Sequence, residues 1–187
     1  MKYIKWTLSI VALFILAVFV IYKPSRILIP EMNGVECVTQ AICIDDTARL
    51  EEAEALVADA VIDIENTLGP LKNYPKFVLC STQRCYEKFG FKRAAAHAIG
   101  KSGIVVGPRG WIPHYVKHEI IHHWQAENIG IIEMLFVDEW LIEGMAYALS
   151  NDPRQELAEP WQAHREKFIE WYQSIDRNNL VTAIRSM

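Results

Sequence analysis

The chain has 187 residues, 51% of them hydrophobic and 22% charged, with a formal net charge of −4. That length bounds it to one domain with room for an appendage. The mild acidity leaves no basic footprint for nucleic acid, and no repeat or low-complexity tract interrupts an ordinary globular composition.

The first unusual stretch is Trp6 to Tyr22, which carries no charge and only Thr7 and Ser9 as clearly polar residues. At about 1.5 Å rise per residue, a helix of that length just reaches across a hydrocarbon core once flanking side chains snorkel. Lys2 and Lys5 precede the run, and Lys23 and Arg26 follow it. A cleaved signal peptide needs small residues before the cut. Here the run ends Phe-Val-Ile-Tyr-Lys-Pro, so residues 1–23 are expected to be an uncleaved, single-pass membrane anchor. The flanking charges only tilt the amino terminus toward the cytoplasm. The four cysteines tilt it further. Cys37 and Cys43 lie six apart, Cys80 and Cys85 five apart, and all follow the anchor. Three pairings are open, with unpaired thiols as the alternative. Short local pairs suit an oxidising compartment and favour Cys37–Cys43 and Cys80–Cys85. Neither pair has zinc-ribbon spacing. The remaining chain is therefore expected outside the cytoplasm, in a periplasm or extracellular space.

Residues 24–44, punctuated by Pro24, Pro30, Asn33 and Gly34, read as a linker with a short strand or turn and a disulfide loop. Asp45, Asp46 or Thr47 caps a helix whose apolar positions recur at three and four spacing from Leu50 to Leu68, and Gly69-Pro70 ends it. Residues 76–80 read as a buried strand, and Ser81 or Thr82 opens a helix to about Phe89. Residues 94–100 are small and give no clear signal, and Lys101-Ser102-Gly103 reads as a turn. Ile104, Val105 and Val106 are β-branched and bounded by Gly107-Pro108, so they predict a strand. Pro113 suits the first turn of a helix to about Asn128. An apolar connection, 131–136, leads to a helix from Asp138 to Leu149. A last helix is expected over about 154–175.

The 113–128 helix carries His118, Glu119 and His122, the pattern H-E-x-x-H. Positions i and i+4 share a helix face, so two imidazoles can point at one ion, and the adjacent carboxylate can hold a water against it. A catalytic zinc site takes a third protein ligand and leaves one position open. Glu127, Glu133, Asp138, Glu139 and Glu143 are in range. Glu127 is too near His122 on the same helix. Glu143 is the best placed, because a carboxylate within an apolar helical run needs a partner. Gly144 beside it admits a close neighbour. His114 shares the face of His118 and reads as exposed polar, and His123 points elsewhere.

His118-Glu119-Ile120-Ile121-His122, with Trp124 after it, followed by Trp140-Leu141-Ile142-Glu143-Gly144-Met145-Ala146, resembles the gluzincin metallopeptidases. The small single-domain minigluzincins fit the length best. The resemblance spans about residues 104–148. It implies Zn2+ held by His118, His122 and Glu143, with Glu119 as general base. It implies a zincin-like α+β domain over 45–187, a small mixed sheet over the metal helix and a mostly helical C-terminal half. Ile104, Val105 and Val106 resemble the edge strand that pairs with an extended peptide. An oxyanion donor is also needed. Tyr147 shares the Glu143 face and is the first choice, with His164, Tyr172 and Tyr115 behind it. The expected partner is a peptide or protein substrate. The segment G-x-M-E-N that holds a substrate amine in related aminopeptidases is missing, which leans toward endopeptidase activity. The competing expectation is a zinc-binding, catalytically weak protein that holds a peptide or partner. Substrate and oligomeric state are not legible.

Overall fold

The computed structural model describes Trp6, residues 23–176 and residues 179–186. Apart from Trp6 and Lys23, the expected anchor lies outside the described residues. Among the described residues no helix is long and apolar enough to cross a membrane.

The fold is α+β, with a five-stranded mixed sheet followed by a helical half. After a short helix α1 (Lys23–Leu28), β1 (Glu36–Cys37) and β2 (Ile42–Ile44) form a hairpin. Helix α2 (Leu50–Leu68) follows, then β3 (Lys76–Leu79), helix α3 (Gln83–Lys88), β4 (Ala96–Ile99) and β5 (Gly103–Val106). Helices α4 (Pro113–Asn128), α5 (Glu139–Leu149), α6 (Trp161–Ser174) and α7 (Leu180–Arg185) complete the chain. The sheet order is β1-β2-β3-β5-β4. β2, β3 and β5 run parallel, and the outer strands β1 and β4 run antiparallel to their neighbours.

The three parallel strands are buried on both faces, as such strands must be when helices cover them. Alternation divides their side chains between two cores. Phe77, Leu79, Ile104 and Val106 pack with Val57, Ile64, Ile120 and Ile121 of α2 and α4. Val78 and Val105 pack on the other face with Ile27, Tyr86, Phe89 and both disulfides, Cys37–Cys43 and Cys80–Cys85. The two local pairings are therefore as expected. Cys37 lies opposite Cys43 in the β1–β2 hairpin. Thr82 caps α3 by accepting from the Cys85 N–H, which carries Cys85 over the strand end at Cys80.

Three expectations need correction. Residues 24–44 are not a separate linker, because β2 pairs directly with β3 and Ile27 is buried in the second core. Ile104, Val105 and Val106 form a strand but not an edge: β5 lies between β3 and β4, and all three are fully buried. A β-branched run shielded on both faces gains most in the middle of a sheet, and the edge falls to alanine-rich β4. The helix expected over about 154–175 begins at Trp161 and is not the last, since α7 follows it. Pro160 lacks the N–H that a helix interior needs and disfavours helical geometry at Glu159.

Helices α5 and α6 meet through a glycine. A Cβ on Gly144 of α5 would stand 2.2 Å from the His164 carbonyl oxygen of α6. That neighbour is backbone, so α6 would have to move. We expect Gly144→Ala to destabilise the protein despite a gain of about 1 kcal/mol in helix propensity, because overpacking costs roughly 1–3 kcal/mol. Thermal unfolding should show a lower midpoint, and an unchanged or higher one would refute the close approach.

Candidate metal centre

Helix α4 has Pro113 in its first turn and lies against the sheet through Val116, Ile120 and Ile121. This docking turns the opposite stripe, His118 and His122, toward α5. There, Glu143 sits one residue before the glycine contact that sets the position of the helix. The Nε2 atoms of His118 and His122 are 3.0 Å apart. The Glu143 carboxylate reaches both, with Oε2 3.5 Å from His118 Nε2 and Oε1 3.5 Å from His122 Nε2. One ligand atom from each residue lies within 4.8 Å of the others. Ligands held at about 2.0–2.2 Å around a tetrahedral ion are roughly 3.3 Å apart, so this His-His-Glu group fits a metal ion. Of the acids in range, the structure brings only Glu143 to the histidines.

A neighbour that the sequence did not reveal orients His122. Gln125 is fully buried. Its Oε1 lies 2.8 Å from His122 Nδ1, and its Nε2 donates to the Ile142 carbonyl at 2.9 Å. An amide fixed by α5 in this way presents its oxygen to Nδ1. It thereby assigns the proton to that nitrogen and leaves Nε2 free as a ligand. Only the i, i+3 spacing from His122 pointed to it.

Glu119 is buried beside the group, and its Oε2 accepts from the Ala98 N–H of β4 at 2.6 Å. Burial pushes its carboxyl above the usual range, with the charge of His122 and the Ala98 N–H opposing and the charge of Glu143 adding to it. Glu143 behaves differently. Burial also pushes it up, but the hydrogen bond from His118 and the charges of His122 and His118 outweigh this, so its carboxyl is held below the usual range. Two carboxyls on neighbouring helices are thus separated in proton affinity, one suited to exchange a proton and the other to remain an anion.

The open edge of the sheet lies alongside. The Gly107 N–H bonds to Ala95 O, and His97 pairs with Val105. By alternation, the backbone groups of Ala96 and Ala98 face away from β5. Ala94 to Ala98 line a cleft of about 640 Å³ together with His118, Glu119, His122, Glu143 and an opposing wall that includes Ile131, Met134 and Leu135. The strand able to receive an extended chain is therefore β4. Its alanines concealed it, because alanine is a poor strand former.

Tyr147 lines this cleft with its ring edge-on to His118, centroids 4.6 Å apart. Burial and the nearby Glu143 charge raise its phenol pKa, so it remains a donor. Tyr115 also lines the cleft. Tyr172 does not, and stacks on Phe168 instead. The His164 ring packs against Trp161. His114 is half-buried against the Tyr115 ring rather than exposed. His123 is fully buried away from the group, with its ring nitrogens 2.9 Å from Asn73 O and 3.3 Å from Gly100 O. Glu127 is turned the other way and accepts from the N–H groups of Lys72 and Asn73.

Two outcomes follow for metal binding. A divalent ion should raise the thermal midpoint of the wild type and leave Glu143→Ala unmoved, since a third ligand is lost. Gln125→Met keeps the buried volume but removes the orienting amide, so metal affinity in a chelator competition should drop about 10–100-fold. Unchanged affinity in a folded Gln125→Met variant would remove Gln125 from this role. Comparison with protein-family models, with curated proteins and with solved structures gives no match for the chain, so its chemistry is read from the motif spacing and this geometry.

Proposed function

We propose that the chain is a membrane-anchored zinc peptidase of the gluzincin type, with a zincin-like domain working outside the cytoplasm. The observation that carries this reading is the joint placement of His118, His122 and Glu143 within 4.8 Å, with Glu119 buried in the same cleft and bonded to a strand edge. Two imidazoles and one carboxylate, with room for a further ligand, suit catalytic zinc. Zinc held there would supply Lewis acidity, making water more acidic and polarising a carbonyl.

The remaining steps belong to the chain. An extended peptide pairs with the outward-facing backbone groups of Ala96 and the Ala98 carbonyl, the Ala98 N–H being held by Glu119, which sets its carbonyl beside the metal ligands. Glu119 removes a proton from the attacking water and returns it to the leaving amine nitrogen as the C–N bond breaks. The raised proton affinity of its buried carboxyl suits both halves of that transfer. The Tyr147 hydroxyl is the donor offered to the developing oxyanion. The cleft favours an endopeptidase. Among the described residues lining it, Glu119 and Glu143 are the only acids, and neither is available to hold a substrate amino terminus. The disulfides support an oxidising compartment.

Digestion of a peptide library by wild type and by Glu119→Gln is the direct test. Cleavage should fall at least 100-fold in the variant, in line with the loss of a general base, while bound zinc stays near one equivalent. Equal cleavage by both proteins would sink the mechanism. A zinc-loaded wild type that cleaves nothing would favour a peptide-holding protein of the same architecture.

A further inference from the structure

The segment between α4 and α5 is unusually apolar for a surface connection. Ile131, Ile132, Leu135 and Phe136 are 51%, 69%, 79% and 85% exposed. They lie around a short 3-10 turn, Glu133–Phe136. Most other exposed large hydrophobics, such as Ile62, Ile112 and Ile169, are scattered singly, which is ordinary for a surface. This segment is a contiguous ridge. One side of it, Ile131, Met134 and Leu135, forms a wall of the cleft. Ile132 and Phe136 are absent from that wall.

A second apolar patch comprises Leu28, Ile29 and Met32, exposed by 69%, 48% and 69%. It begins at the last residue of the short helix α1, which follows the uncharged run of Trp6–Tyr22 in sequence. The two patches flank one structural feature, the β4–β5 turn. At Gly100 a Cβ would stand 3.1 Å from Ile131 Cδ1, and at Gly103 it would stand 3.1 Å from Ile27 Cγ2. The ridge and Ile27, five residues after the uncharged run ends in sequence, therefore sit at the same end of the sheet. Lys101, at the tip of that turn, is exposed between them. The acids in these segments are Glu31 and Glu133, and the Glu133 carboxylate is folded back over Gly130. Bulky apolar tips beside an exposed lysine match the way an interfacial segment enters a headgroup layer.

We infer that the 131–136 ridge docks into the surface of the bilayer that holds the N-terminal run, so that the cleft opens at the lipid–water interface. This rests on the membrane-anchored reading above and adds the substrate class: extended peptide segments lying at or emerging from a membrane surface. The occupant is lipid rather than a second copy of the chain, because the ridge shares its end of the sheet with Ile27, which follows the apolar run closely in sequence. A ridge seated in lipid fixes the height of the cleft above the membrane, which a single N-terminal attachment would leave free to swing.

The test uses the full chain reconstituted into phosphatidylcholine–phosphatidylglycerol vesicles. The four cysteines are paired, so Phe136→Cys introduces a single free thiol for an environment-sensitive fluorophore. Ile132→Cys is a second reporter that retains Phe136. Ala48→Cys is the control. It is exposed and adjoins the opposite end of the parallel strands, just beyond β2. We expect the labels at 136 and 132 to be quenched by spin-labelled lipid several-fold more than the label at 48, and to be shielded from iodide. Labels at all three sites that respond alike would overturn the docking. Vesicle flotation and peptide cleavage are read in parallel. Protein that floats and cleaves with a water-exposed ridge defeats this inference alone. Protein that does not float defeats the anchor and the docking together. Lipid quenching without cleavage upholds the docking and counts against the peptidase.

Discussion

Helix α4 must be buried and yet carries polar side chains on every side, and the rest of the structure answers that constraint. Glu119, His123, Gln125 and Glu127 are all buried. Each unpartnered polar group in such a position costs on the order of 1–3 kcal/mol, so each is met by a partner from a different element. Ala98 of β4 donates to Glu119. Asn73 and Gly100 supply carbonyls to His123. Gln125 reaches the backbone of α5, and Glu127 gathers the 72–73 turn. Lys117 adds an ion pair to Asp63 of α2. The helix that bears the chemistry is thus also the hub that fixes the strand edge, the β4–β5 turn and the neighbouring helix.

The site inherits its geometry from this hub. A metal group assembled from two helices is only as reproducible as the contact between them. Here that contact is set by the Gln125 amide on the Ile142 carbonyl, while the glycine surface that lets α6 press on α5 holds α5 from its other neighbour. The same amide fixes the tautomer of His122, so positioning and ligand chemistry are supplied by one side chain. Glu119 gains its raised proton affinity from the burial that the sheet and helix impose. Its hydrogen bond to the strand edge ties the proposed base to the place where a substrate backbone would lie.

The surface tells a related story. The walls of the cleft differ in origin: a backbone edge on one side and an apolar ridge on the other. The edge offers hydrogen bonds without regard to side chains, while the ridge offers only apolar area. Under the proposed reading, a site so built would hold a chain by its backbone on the edge side and favour apolar side chains on the ridge side.

Local patterns were enough to place most of the secondary structure. The three- and four-residue spacing found α2, proline and H-E-x-x-H found α4 with its limits, and the short cysteine separations found both disulfides. These features are encoded between neighbours, within one or two turns of chain. The pairing of Glu143 with the histidines was also legible, because a carboxylate in an apolar helix has few ways to be accommodated. What the linear order could not say was which strand has an open side. Ile104 to Val106 read as a strand, but their place in the middle of the sheet depends on β4 folding back and on β3 lying alongside. Nor could it say that Gln125 bridges two helices, or that Ile27 and Ile131 meet one turn from opposite sides. Those are relations between residues far apart in sequence, and they exist only once the sheet and α4 have packed and closed the distances between them.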